Sequence, residues 1–198
     1  VGRGNPPPYR DRPEGGDLDQ PNLQFRAPYL VLGLGKTNVQ QKEELAMENP
    51  TDQKADQFME EAIRQAQKSF DEGGIPIGSV LVRAGVIIGR GHNRRVQQGD
   101  PTAHGEIDCL RNAGRQASYR DITIYSTLMP CAMCAGAVVQ FGIAKVIAGE
   151  NRTFKSSAQF MRDNGVEVID LDLDQCFELL KVFQLKYPKI WNEDIGVE

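Results

Sequence analysis

Two short stretches constrain this chain more than anything else in it: His104-Gly105-Glu106, and Pro130-Cys131-Ala132-Met133-Cys134 further on. A histidine and two cysteines are ligands of the kind Zn²⁺ prefers, and three of them leave a fourth tetrahedral position for water. His104, Cys131 and Cys134 are therefore the expected metal ligands, with one Zn²⁺ per chain as the expected cofactor. Glu106 lies two residues from the histidine, close enough to handle protons at that water without binding the metal. A closed structural zinc site would have no use for such a carboxylate.

Length and charge narrow the setting. The 198 residues suit one domain with material left over. The net charge of -4 and a sequence pI of about 5.3 show no basic stripe of the sort that grips nucleic acid. A small substrate is expected, with no nucleic-acid partner. No apolar run approaches the roughly 20 residues of a membrane span. Residues Val1 to Asp19 are dominated by Pro, Gly and charge and hold no apolar leader core. Among four cysteines, a Cys-x-x-Cys pair without a leader points to metal or redox chemistry, not to a disulfide framework. The expected compartment is the cytoplasm, with the nucleus also open to it.

Residues 1–54 read as an N-terminal extension to a domain over 55–198. Pro6-Pro7-Pro8, Gly15-Gly16 and Pro21 interrupt regular structure, and little apolar surface is available to offset ordering entropy. Its apolar cluster, Tyr29 to Thr37, fails as a phosphate loop because Leu30 stands where the first glycine is needed. Met47 would serve as an initiator.

From Asp56 to Phe70, the residues Phe58, Met59, Ala62, Ile63, Ala66 and Phe70 share one helical face. Gly73-Gly74 ends that helix, and Ile77–Val82 with Val86–Gly91 form a hairpin across Arg83-Ala84-Gly85. A loop from His92 to Pro101 carries Asn93 at a strand exit, where it could stabilise a turn or face a ligand. Thr102 can cap a helix that has His104 and Glu106 in its first turn and ends at Gly114. Ile122 to Thr127 alternates like a strand, and Pro130 fits the first position of a second helix. Strands at 145–149 and 166–171 precede an amphipathic helix over 172–186, which Tyr187-Pro188 stops. A tail with Trp191 and Asp194 follows. This order predicts an α/β layered domain with a mixed sheet of about five strands between helices.

Both halves of the metal site sit at predicted helix N-termini, where partial positive charge lowers a thiol's pKa. His92 lacks an acidic sequence neighbour and reads as structural, and Cys109 and Cys176 read as buried packing.

Several segments together resemble a known family. H-x-E followed by P-C-x-x-C is the signature of the zinc-dependent base deaminases. Gly73 to Gly78, Gly89-Arg90-Gly91-His92-Asn93, Gly149-Glu150-Asn151, Phe154-Lys155-Ser156 and Trp191 to Gly196 are similar to segments of the fungal-type cytosine deaminases, in order. The likeness runs from about Asp56 onward. It implies a three-layer αβα sandwich of the cytidine deaminase type, working as a homodimer that converts cytosine, and its 5-fluoro analogue, in pyrimidine salvage. It implies Glu106 as the proton shuttle. Asn93 and the Gly105 N–H would hold the N1 and C2-carbonyl edge of the base, and Asp194 would accept from its exocyclic amine. Phe154, Trp191 and Ile77 would wall the ring, Leu128 and Met129 would also bind the substrate, and the C-terminal stretch would act as a lid. Met129 departs from a small polar residue of the family, at a position whose implied contact is through the backbone. Two rivals share part of the pattern. A deaminase of guanine or of tRNA adenosine would keep the metal motifs, and a non-catalytic zinc module would not need Glu106 or an acidic-aromatic tail.

Overall fold

The computed structural model describes residues 50–154 and 157–197, with side chains from residue 57 on. The extension expected over 1–54, with its apolar cluster and Met47, lies outside the described residues up to residue 49.

Helix α1 (Pro50–Asp71) begins earlier than the periodicity at Asp56 indicates. Its apolar stripe is buried as the spacing predicts, through Met59, Ala62 and Ala66, with Phe58 and Ile63 packed alongside. After it come strands β1 (Gly78–Arg83) and β2 (Val86–His92). They are joined through Ala84 (φ 48) and Gly85 (φ 75). Two positive φ values in a two-residue loop are what a type I′ hairpin requires. Strands β3 (Ile122–Ser126), β4 (Lys145–Ala148) and β5 (Glu167–Asp170) complete one sheet in the order β2-β1-β3-β4-β5. β1 runs antiparallel to β2 and β3, whereas the β3–β4 and β4–β5 pairs are parallel. The sheet is mixed and five-stranded, as expected.

Parallel neighbours need crossover connections, and helices supply them. After the short α2 (Arg95–Gln98), helix α3 (Gly105–Ala113) leads into β3. Helix α4 (Ala132–Phe141) joins β3 to β4, and α5 (Ala158–Asp163) joins β4 to β5. Helices α6 (Asp174–Lys186) and α7 (Pro188–Ile195) close the described chain. The strands' alternation sorts these helices into two outer layers. Leu81, Ile122, Ile124, Val146 and Ala148 face Cys109, Leu110, Ala135, Val138 and Met161 of α3, α4 and α5. Val80, Val82, Tyr125 and Ile147 face Met59 and Ala62 of α1 and Cys176 of α6. The result is an αβα sandwich. A third apolar cluster, Ile75, Ile77, Leu128, Leu180, Phe183 and Trp191, lies outside these two faces and involves α6 and α7.

Glycine sets how closely the layers approach. A Cβ on Gly78 would lie 2.1 Å from the Ala62 carbonyl oxygen, and one on Gly91 would lie 2.2 Å from the Cys109 nitrogen. Real Cβ contacts are not that short, so these two positions hold α1 and α3 tight against the sheet. Five local expectations need correction. The loop after His92 contains α2. α5 was not foreseen, and the tail is helical, with Pro188 at its first turn. Thr102 does not cap α3, because its N–H (2.8 Å) and hydroxyl (2.7 Å) both donate to Asp100 Oδ1. α4 begins at Ala132 with Cys131 at its N-cap, so Pro130 stands just outside the helix. Among the described residues, no helix is long and apolar enough to cross a membrane.

Candidate active site

His104 occupies the N-cap of α3 and Cys131 the N-cap of α4, both in extended conformation, and neither side chain makes the capping hydrogen bond usual at that position. They turn towards each other instead. His104 Nδ1 lies 3.5 Å from Cys131 Sγ and 3.8 Å from Cys134 Sγ. The three ligand atoms all fall within 4.8 Å of one another. Zinc bonds of about 2.3 Å to sulfur and 2.0–2.1 Å to nitrogen, held tetrahedrally, set N···S at about 3.6 Å, so this donor set fits Zn²⁺. The thiols form a coupled pair. The hydrogen bond with Cys134 holds Cys131 down to about 4 against the effect of burial, and His104 adds to it. That same bond, with burial, holds Cys134 well above its ordinary value. One thiolate is thus stabilised before any metal charge is counted.

Glu106 is buried in the first turn of α3. Burial raises its carboxyl above the ordinary value, and charge on Cys131 adds to the rise. Both oxygens are engaged. The Ser126 hydroxyl, at the end of β3, donates to Oε1 at 3.3 Å, and the Cys134 thiol donates to Oε2 at 3.4 Å. Ser126 is backed in turn by the buried Ser79 hydroxyl at 3.1 Å. The carboxyl is aimed beside the ligand set by groups from three separate elements. Sequence reading missed Ser79 and Ser126, because a serine inside an apolar strand carries no local sign of what it faces.

Asp194, on α7, is brought 3.3 Å from His104 Nε2 and 3.2 Å from Arg95 Nε. Neither contact has hydrogen-bond alignment, so Asp194 Oδ1 is a buried acceptor with capacity to spare. Burial opposes charge on His104, but Asp194 and then Cys131 outweigh it and hold the imidazole up to about 10. A histidine that binds metal through Nδ1 keeps its Nε2 proton for such an outer partner. Asp194, 3.3 Å from Nε2, is the group placed to be that partner here, a position the sequence did not disclose.

Of the two roles left open for Asn93, the structure shows the turn-stabilising one. Its Oδ1 accepts from the Arg95 N–H at 3.0 Å, which stabilises the turn. That bond assigns the amide orientation and leaves Nδ2, fully buried, without a hydrogen-bond partner. Gly105 is the first residue of α3, so its N–H is among those a helix leaves free. A Cβ there would lie 2.9 Å from the Ile77 carbonyl oxygen, so only glycine fits comfortably. Ile77, Leu128 and Trp191 share the third apolar cluster, with Phe154 packed against it. Met129 does not join them. Its side chain is buried with Leu81, Ile124 and Met161 in the main core, and its N–H donates to the Glu150 carbonyl at 2.8 Å. The replaced family residue therefore leaves the wall cluster untouched.

The remaining candidates have structural surroundings. His92 is buried and is not among the clustered ligands, but it does have an acidic partner, since Glu72 Oε2 lies 2.9 Å from its Nε2. Cys109 and Cys176 are buried free thiols. Glu150, to which the sequence assigned no role, accepts from the N–H groups of Arg152 (2.6 Å) and Thr153 (3.0 Å), and so folds back the loop leading to Phe154.

A mixed sheet between helix layers, with a His-Cys-Cys zinc set at two helix N-termini and a buried carboxyl beside it, defines a zinc-dependent hydrolytic deaminase. Residues 52–150 match the model of the cytidine and deoxycytidylate deaminase zinc-binding region. The chain is 45% identical over 138 residues to a cytosine deaminase of Candida albicans, covering 68% of this chain and 92% of that protein. It is 41% identical over 95 residues to a tRNA-specific adenosine deaminase of Streptococcus pyogenes, covering 46% of this chain and 60% of that one. A structure from a study of tRNA:A34 deaminases superposes with a TM-score of 0.58 at 29% identity, over 63% of this chain and 99% of that one. The chain belongs to the cytidine and deoxycytidylate deaminase family.

Proposed function

We propose that this protein deaminates free cytosine to uracil and ammonia, accepts 5-fluorocytosine, and serves pyrimidine salvage. One observation carries the choice of substrate: two buried side-chain atoms lack hydrogen-bond partners, the donor Asn93 Nδ2 and the acceptor Asp194 Oδ1, and the second lies 3.3 Å from His104 Nε2. Cytosine offers a C2 carbonyl to the donor and an exocyclic amine to the acceptor. The likeness to the Candida albicans cytosine deaminase supports the same reading, because it runs over 138 residues, whereas the bacterial tRNA deaminase matches over 95.

Zinc held by His104, Cys131 and Cys134 would supply a Lewis acid that readies water for attack at neutral pH. The chain's own residues do the rest. Asn93 and the Gly105 N–H hold the N1–C2 edge of the ring. Ile77, Leu128, Phe154 and Trp191 enclose its faces, and the Met129 backbone continues that lining. Glu106 takes a proton from the attacking water and passes it to the N3 ring nitrogen. It then delivers the second proton to the amine, which leaves as ammonia while Asp194 holds its N–H. A lid closing over the N1 edge leaves no room for a ribose there.

Ammonia release from cytosine, cytidine, guanine, adenine and isocytosine tests this reading. Cytosine is expected to turn over and cytidine is not. Asp194→Ala is expected to weaken catalysis on cytosine by about 1.5–3 kcal/mol, the scale of a charged hydrogen bond. A better rate on cytidine, or turnover of guanine alone, would overturn the assignment.

A homodimer is part of the proposal. Helix α4 is apolar on nearly every face (AMCAGAVVQF), and a helix of that kind is normally buried all round. Here Met133 is 37% exposed and Phe141 46%, with Phe160 of α5 46% exposed as well. A second copy would cover them. Sedimentation should give a dimer mass for the parent chain and a monomer for Phe141→Glu with Met133→Glu; a monomeric parent rules this out. Free buried thiols at Cys109 and Cys176 suit the reducing cytoplasm and nucleus.

A further inference from the structure

Arg95 has no part in the proposed chemistry, yet it touches both ends of the proposed substrate edge. It follows Asn93 by two residues and opens α2. Its main-chain N–H fixes the Asn93 carboxamide at 3.0 Å. Its side chain crosses to α7, 98 residues away in sequence, where Nη2 lies 3.1 Å from Glu193 Oε1 and 3.4 Å from the Glu193 carbonyl oxygen. Nε lies 3.2 Å from Asp194 Oδ1, the same oxygen that sits 3.3 Å from His104 Nε2.

Exposure separates the two acidic partners. The Arg95 and Asp194 side chains are 13% and 5% exposed, whereas Glu193 is 66% exposed. Surface ion pairs contribute little, but loss of one member of a covered pair leaves a buried charge without compensation. The Asp194 contact therefore dominates, and Glu193 adds the second prong that fixes the guanidinium plane. We propose that Arg95 is a positioning residue that latches the α7 lid over the site and aims Asp194 at the substrate amine. One residue thus sets both recognition groups, Asn93 through its backbone and Asp194 through its guanidinium. Closing the lid and completing the outer contact to His104 become a single event.

This rests on the deaminase reading of the site, and the test keeps the two apart. Trp191 is the chain's only tryptophan, it lies on the lid, and it is buried. Its fluorescence therefore reports lid docking without substrate. Arg95→Ala keeps the backbone N–H to Asn93 and removes only the fork. We expect zinc to be retained, Trp191 emission to shift red, and quencher access to rise. KM for cytosine should increase about ten- to a hundredfold, the scale of the charged hydrogen bond from the substrate amine to Asp194 that Arg95 aims, with a smaller fall in kcat. Arg95→Lys, which keeps charge but not the fork, should recover part of both signals, and Glu193→Gln should change KM less than about threefold. Unchanged Trp191 emission and KM in Arg95→Ala would overturn the proposal. So would Glu193→Gln reproducing the whole effect, since the pairing would then run along the surface. If Arg95→Ala does not fold, Arg95→Gln read by the same fluorescence decides. A parent chain without cytosine turnover would remove the substrate assignment, while a red shift in the variant would still support the latch.

Discussion

Glu106→Gln is expected to bind one zinc per chain and to lose roughly 10²–10⁴-fold or more in kcat, the scale of positioned proton transfer. Glutamine keeps the shape of the carboxyl, its amide oxygen can still accept from the Ser126 hydroxyl, and its amide N–H can donate to the Cys134 sulfur. It cannot take up a proton and return it. Cys131→Ala and His104→Ala should behave differently and lose metal and turnover together, because each removes one of the three ligands clustered among the described residues. Metal analysis beside steady-state rates separates the two outcomes. Zinc loss in Glu106→Gln would make that residue a ligand and remove its assignment as shuttle.

Removing the chain from Trp191 onward should abolish turnover while leaving zinc at the site. Two terms act in the same direction. The cut deletes Asp194, and it uncovers Ile77, Leu128, Leu180 and Phe183, which pack with Trp191. Loss of the Asp194 contact to His104 Nε2 should also weaken zinc about 10–100-fold, the usual effect of removing an outer partner of a metal ligand. Zinc content is therefore best measured with the metal in excess. Trp191→Ala is the gentler version, with an expected cost of roughly 3–5 kcal/mol for emptying a buried aromatic site. Full-rate deamination by the truncated chain would end the lid model.

The strands and the longer helices were readable because alternation and helical spacing both point at a core that exists. The misreadings were made where a residue serves something other than local structure. Thr102 is a better N-cap than His104 by hydrogen-bonding habit, and Pro130 is a favoured first helical residue. The chain instead gives the N-cap positions to His104 and Cys131, whose side chains face each other as ligands. Six-residue α5 is too short to show a period. Pro188 reads as a stop for α6, and the same fixed φ makes it a good start for α7. At the site, the ligands and Glu106 were legible because metal chemistry demands those residue types at close spacing. The contacts of Asp194 with His104 and Arg95, and of Ser126 with Glu106, were not. They join elements far apart in sequence, and no periodicity records such a meeting.

The proposed ring wall shares its atoms with the scaffold. Ile77, Leu128 and Trp191 pack in the same cluster as Leu180 and Phe183 of α6. Enlarging or shrinking the space for a new base therefore also changes how α6 and α7 are held. A substitution that admits a larger ring opens a void against Leu180 or Phe183, and stability should fall before selectivity changes. Altered substrate choice in this chain would then have to arise through paired changes, one on the wall and one behind it on α6. Adaptation of the wall is limited less by chemistry than by epistasis with that helix.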